Sequence, residues 1–447
     1  MKKVFRTMLG GAVLCLPLMF TSCGNIDNPL EQVSAATIVV APEVSSNEIY
    51  AGTTTALVTI ATADGGTVMY KVTTTNERPT STEGFTATVP TAEDLTDFGT
   101  YYVWYYVKGE GIHGSSAISA TAVEVFLLPS LSTPLTMEAI TAGTITITTP
   151  KVNMKYKKNN ESIVTITSTD DVDISVAAGD KVEFYGNGTS IEKYYESGVG
   201  TKITGGTAQV KMYGNIMSLI DETGFASNET LTKPSTFYHL FHNNTTLTDA
   251  SCLLLPATTL TTSCYSAMFE GCTYLTKAPM KLPAGGEKGT LANQCYEQMF
   301  LKCSALTTAP ELPATTMQAE CYSTMFAGCT SLENAPQLPA TTMQAECYRS
   351  MFWDCTSLEK APKLPATDLA IKCYDSMFTN CTSLNEAWVK ANYKAGNPGY
   401  ECISMFDGCT TAGTDRKLHT LSGNTASWEA VMPSTWATWT VYGDYND

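Results

Sequence analysis

At 447 residues the chain is long enough for about three domains. Its 43 acidic residues outnumber 27 basic ones, for a formal net charge of −16. That balance excludes nucleic acid and anionic membrane surfaces as partners, since both select for clustered Lys and Arg; it suits a soluble, exposed protein.

In chain order, Lys2, Lys3 and Arg6 precede an apolar stretch from Met8 to Phe20, and the small residues Thr21 and Ser22 come just before Cys23. This pattern predicts a signal peptide over 1–22 rather than a membrane span. The ending resembles the lipobox of bacterial lipoproteins, with Phe20 where that motif usually has Leu. The resemblance implies cleavage before Cys23 and lipidation of its thiol, and two or more acyl chains would anchor the mature chain stably. Residues 23–36 read as a polar tether.

From Thr37 the pattern changes to short β-rich runs punctuated by Gly, Asn, Ser and Pro, which predicts an antiparallel β-sandwich over 37–128. GGTVMYKVTTTNERPT followed by GTYYVWYYVKGEG resembles the immunoglobulin-like or fibronectin-like modules of bacterial surface proteins and the chitobiase C-terminal module. In TYYVWYYVKG, Tyr101, Val103, Tyr105 and Val107 share one strand face, and Tyr102, Trp104 and Tyr106 share the other. One face must be core. The second is either a further packing contact or a stacking platform for sugar rings, with Tyr102, Trp104 and Tyr106 as its members. PSLSTP (129–134) reads as a hinge, and a second β-module extends over 129–214.

From 215 to 411 the chain repeats itself, and self-similarity at a fixed period overrides local patterns. CYRSMFWDC (347–355) has four near-copies whose first cysteines are Cys264, Cys295, Cys321 and Cys373. The period is 26 residues, lengthened once by the insertion AGGEKG (284–289). TFYHLFHNNTTL and CISMFDGC are degenerate outer copies, as a stacked array needs at its ends. Residues 412–447, with Trp428, Trp436 and Trp439, are expected to cap the last open face.

One unit reads CYxxMFxxCTSLxxAPxLPATTxxxx. At about 100° per residue the two Cys, Tyr, Met and Phe all fall in an arc of roughly 140°. The spacing therefore predicts a short amphipathic helix with that face inward and the preceding threonines as caps. The TSL and APxLP segments predict a short strand, incompletely paired because Pro279, Pro310, Pro336 and Pro362 cannot donate to a ladder.

Strand, turn and helix in this order resemble a leucine-rich repeat, and the second Cys occupies a place where that family's pattern permits Asn or Cys. Asn244 stands at that place in the degenerate first copy. Such an interchange fits a polar atom that bonds a neighbouring turn, and it does not fit a disulfide or a thiolate metal site. MFxGCTSL before a Pro-containing strand is similar to the BspA-like leucine-rich-repeat surface lipoproteins of host-associated anaerobic bacteria, over about 190 residues. The resemblance implies a right-handed solenoid and a role in surface attachment or ligand binding, and it implies no particular activity; the expected location is a lipid anchor in the outer membrane, at the cell surface. The fold class expected is thus multidomain α+β, with two β-sandwich modules before a leucine-rich-repeat solenoid of short strands and short helices.

The chemistry-bearing residues favour a binding protein. Two cysteines eight apart on a helix lie about 12 Å apart, too far for a disulfide; bridges between the second cysteines of adjacent units stay open. Thirteen cysteines remain without Cys15 and Cys23, an odd number, and buried free thiols are the favoured reading. No CxxC is present for zinc. His239 and His242 are spaced as a metal pair can be, yet without a carboxylate motif nearby they read as surface or cap packing. Asp170-Asp171 and Asp221-Glu222 read as solvated turns. No GxSxG, P-loop or GxGxxG context occurs. The sequence thus points to no catalytic residue, no metal and no cofactor. The partner is a protein or a glycan, read by the variable polar pairs Thr307-Thr308, Glu333-Asn334 and Glu359-Lys360 and by Trp388. The alternative function is glycan capture for a polysaccharide-uptake system through the Tyr102, Trp104 and Tyr106 face.

Overall fold

The computed structural model describes residues 34–446 except 47, 152, 187–194, 197–198, 285–290, 394–401, 403, 410–414 and 431–438. The signal peptide, Cys23, nearly all of the tether and Trp436 lie outside the described residues. What is described is mostly β-sheet, in several separate sheets, with almost no helix.

One unit comprises 1–44, 58–90 and 102–124. Its main feature is an antiparallel pairing in register from Gly66↔Gly109 to Thr73↔Tyr102, with Val68 opposite Val107 and Val72 opposite Val103. β-branched residues directly across from each other pack well on a pleated face. Strands Thr37–Val40 and Thr62–Asp64 also pair antiparallel.

The other unit comprises 45–57, 91–101 and 125–447. Period-two alternation sets its first part: in Gly143–Thr148, Ile145 and Ile147 are buried while the threonines between them are half-exposed. This strand lies between Val172–Val176 and Lys202–Thr204 in a three-stranded antiparallel sheet. Its isoleucines share a core with Met137, Val182 and Phe184 of a six-stranded sheet. That second sheet is antiparallel until its last pair, where Val210–Asn215 runs parallel to Leu247–Leu254. The repeats continue the parallel direction.

The strand portions are as sparse as the prolines require. Lys277↔Thr308, Lys281↔Glu311 and Asn334↔Lys360 are isolated parallel bridges. Lys360–Leu364 is a strand with a register shift that spans Pro362. Glu386–Val389, which has no proline, pairs regularly with Arg416–His419, and that strand with Trp439–Tyr442.

The recurring CYxxMFxxC segment is not the helix its spacing predicts. Among the described residues the one α-helix is Thr425–Glu429, beside two 3-10 segments, Ile216–Leu219 and Phe225–Ser227. Every fourth residue of the segment instead has a left-handed backbone: Ser263 (φ 55°), Ala267 (φ 51°) and Gly271 (φ 72°), and likewise Glu346, Ser350 and Asp354. An L-residue there breaks an α-helix. The amides then divide their bonds. Cys264, Ser266, Met268 and Glu270 donate three residues back, while Tyr265, Ala267 and Phe269 donate to Cys295, Glu297 and Met299 of the next repeat at 2.8–2.9 Å. The result is a train of four-residue turns stitched sideways. A strict period of four puts the two Cys, Tyr, Met and Phe on one side as well as a period of 3.6 does, so the inward face was legible and the backbone was not.

That inward face stacks from repeat to repeat. Phe241, Phe269, Phe300, Phe326, Phe352, Phe378 and Phe406 form one column with centroids 5.3–5.7 Å apart. Phe237 opens a parallel column through Tyr265, Tyr296, Tyr322, Tyr348 and Tyr374 at 5.6–6.1 Å. Each such pair adds about 0.5–1.5 kcal/mol beyond burial of its area. The ring of Trp439, from the tail, closes the phenylalanine column 4.5 Å from Phe406.

Candidate functional site

The residues free to meet a partner are those the repeats leave outside. Thr307, Thr308, Glu333, Asn334, Glu359 and Lys360 are all exposed. The second residue of each pair faces its neighbour across the parallel ladder: Thr308 pairs with Lys277, Asn334 with Lys360, and Lys360 with Glu386. These positions form one outward row because buried leucines fix the chain before them (Leu306, Leu332, Leu358) and after them (Leu312, Leu338, Leu364). The row varies in chemistry while its support does not.

Charges in the row are partly matched within the protein. Lys360 Nζ lies 2.8 Å from Glu386 Oε2, and Lys277 Nζ lies 3.1 Å from Asp249 Oδ2. The Lys360 ammonium holds the Glu386 carboxyl below its ordinary range, with further help from His419 and Lys417. Thr308 and Asn334 stand between these ion pairs as neutral donors and acceptors.

Trp388 lies in the next outward row, opposite Lys363 and His419. Its ring stacks on His419 at 5.3 Å, and His419 stacks on Tyr442 at 5.5 Å. Asp444 Oδ1 sits 2.7 Å from His419 Nδ1. Trp388 stands out in the sequence as a candidate, while its partners are signalled there only by the outward alternation in RKLH and WTVY. One face of the indole is covered by this stack.

The proposed sugar platform does not form as a trio. Trp104 and Tyr106 are buried in a small cluster with Phe85, and Tyr106 meets that ring edge-on at 5.1 Å. The Trp104 indole N–H donates to Thr73 Oγ1 at 3.1 Å. Tyr102 alone is half-exposed. The opposite face, with Val103 and Val107, is also buried. Both faces of this strand are therefore packed, which alternation within one strand cannot reveal.

The thirteen cysteines of the described residues are free thiols, twelve of them buried. The second cysteine of each full unit donates to the phenylalanine carbonyl of the unit before it: Cys272 to Phe241, Cys303 to Phe269, Cys329 to Phe300, Cys355 to Phe326 and Cys381 to Phe352, at 3.0–3.2 Å. At the same place Asn244 Oδ1 accepts from the amides of Gly205 and Leu247. The Asn/Cys interchange is thus one of side-chain polar atoms bonding backbone. Burial pushes the Cys264 and Cys347 thiols up to about 12, which keeps both protonated at neutral pH. His239 and His242 lie beside Glu270, a neighbour one repeat away that sequence spacing did not bring to them.

Comparison with known proteins finds no matching protein-family model, no matching curated protein and no matching solved structure.

Proposed function

We propose that this protein is a non-enzymatic lipoprotein of the outer membrane, anchored through Cys23 at the cell surface. Its β-rich regions act as sandwich modules that hold out a right-handed leucine-rich-repeat solenoid, whose outward strand face binds a macromolecular partner. The observation that carries this reading is the row from Lys277 through Thr308, Asn334 and Lys360 to Glu386. It combines changing side chains, exposed from Lys277 to Lys360, with a repeated, buried frame. A face of this kind can vary its specificity without disturbing its support. A protein ligand is the favoured partner. Glycan capture for an uptake system is the weaker reading, because Trp104 and Tyr106 are committed to packing.

The test is a binding screen of the full-length protein against host matrix proteins and glycans. The combined variant T308A/N334A/K360A should lose binding to the protein hit while its unfolding midpoint stays unchanged. Loss of a glycan hit on Tyr102→Ala, with the row variant unaffected, would favour the glycan reading. Binding to neither class would sink both. Mass spectrometry of Cys23 and protease shaving of intact cells test the anchor and its facing.

A further inference from the structure

The first two units of the ladder bring together three donors that lie apart in sequence. His239 occupies a left-handed position (φ 60°), so the chain turns between it and His242 and their rings face each other with centroids 4.6 Å apart. Glu270 holds in the next unit the place His242 holds in the first. The Asn243 amide donates to the Glu270 carbonyl at 2.7 Å and the Phe241 amide to Met268 at 3.0 Å, which sets that register. Glu270 Oε2 consequently lies 3.4 Å from His239 Nε2 and 3.7 Å from His242 Nε2.

All three residues are half-buried, and their three ligand atoms lie within 4.8 Å of one another. A tetrahedral zinc ion with nitrogen and oxygen ligands at about 2.0–2.1 Å separates its donors by roughly 3.4 Å. One pair already has that spacing, a second is a few tenths of an ångström longer, and the two imidazoles need only rotate inward. Backbone bonds on both sides hold the three residues' main chains, so that adjustment is confined to side chains.

We propose that His239, His242 and Glu270 form a binding site for a first-row divalent metal ion of the zinc type, with two imidazoles, one carboxylate and a fourth position for water or for a donor of a bound partner. Two imidazoles and a carboxylate suit zinc, cobalt or nickel better than magnesium or calcium, which prefer oxygen alone. Lys202 regulates entry. Its Nζ lies 3.2 Å from His242 Nδ1. An ammonium donating there leaves the ring proton on Nε2, the nitrogen that must ligate. Metal binding requires Lys202 to release Nδ1, which then takes the ring proton as Nε2 takes the ion, with no net proton loss from that ring.

Titration of the full-length protein with Zn²⁺ by calorimetry, and with Co²⁺ by visible absorption, tests the site. One equivalent should bind, with cobalt d–d bands and without a thiolate charge-transfer band. H242A and E270Q should each weaken zinc binding by about tenfold or more at an unchanged unfolding midpoint, and K202M should tighten it several-fold. The tightening in K202M keeps the proposal open to refutation even where a ligand variant folds poorly. No binding at about 100 µM zinc, ion retention by H239A/H242A/E270A, or weaker binding by K202M would each overturn it.

Discussion

The Cys355 thiol donates to the carbonyl of Phe326, 29 residues earlier in the chain, at 3.1 Å. The same carbonyl accepts the Cys329 amide at 3.0 Å, closing a turn of its own unit. One oxygen therefore ties the turn train of one repeat to the side chain of the next. Replacing Cys355 with Ala removes the donor and leaves a small void, at an expected cost of about 1–2 kcal/mol. Denaturant unfolding checks this, and an unchanged midpoint would show that neither the hydrogen bond nor the packing of the thiol contributes.

The aromatic column predicts a contrast between neighbours. Phe352 stacks on both Phe326 and Phe378 at 5.6 Å and is fully buried. Trp353, beside it, is 42% exposed. Phe352→Ala should cost about 3–5 kcal/mol, and Trp353→Ala less than about 0.5 kcal/mol. Comparable losses in the two variants would contradict the inward and outward assignment.

Ser350 has a φ of 51°. A side chain in this region is strained by about 1–2 kcal/mol, and glycine relieves that strain at an entropic cost of roughly 0.5–1 kcal/mol. Ser350→Gly should leave stability unchanged or raise it by up to about 1.5 kcal/mol. In a helix interior the same change would be destabilising, so the sign of the shift separates a turn train from a helix.

The buried thiols predict a pH dependence. Burial raises Cys264 and Cys347 from 9.0 to about 12. Because the folded value is the higher one, their contribution to stability is fully present below about pH 9. It is lost progressively between about pH 9 and 12, as the unfolded chain ionises first. The thermal midpoint should stay level in this respect up to pH 9 and fall beyond it. Native alkylation at pH 8 should spare both residues, whereas the unfolded chain should react at each; rapid native labelling of Cys347 would refute the burial.

The repeat, the identity of its inward residues, the exposure of Thr308, Asn334 and Lys360, and the second cysteine as a backbone partner can all be read along the chain. These follow from periodicity and from the Asn244 substitution, which are local or copy-to-copy properties. How the chain realises that pattern depends on contacts between repeats. Periods of 3.6 and 4 place the same five residues inward, and what separates them is the carbonyl each amide finds; for Tyr265 and Phe269 it lies in the next repeat. The same distance in sequence hid Glu270 from the two histidines and hid Phe85 from Trp104 and Tyr106. A chain shows which of its side chains shun water, but the partner that covers them or binds beside them is fixed by stacking elements far apart along it.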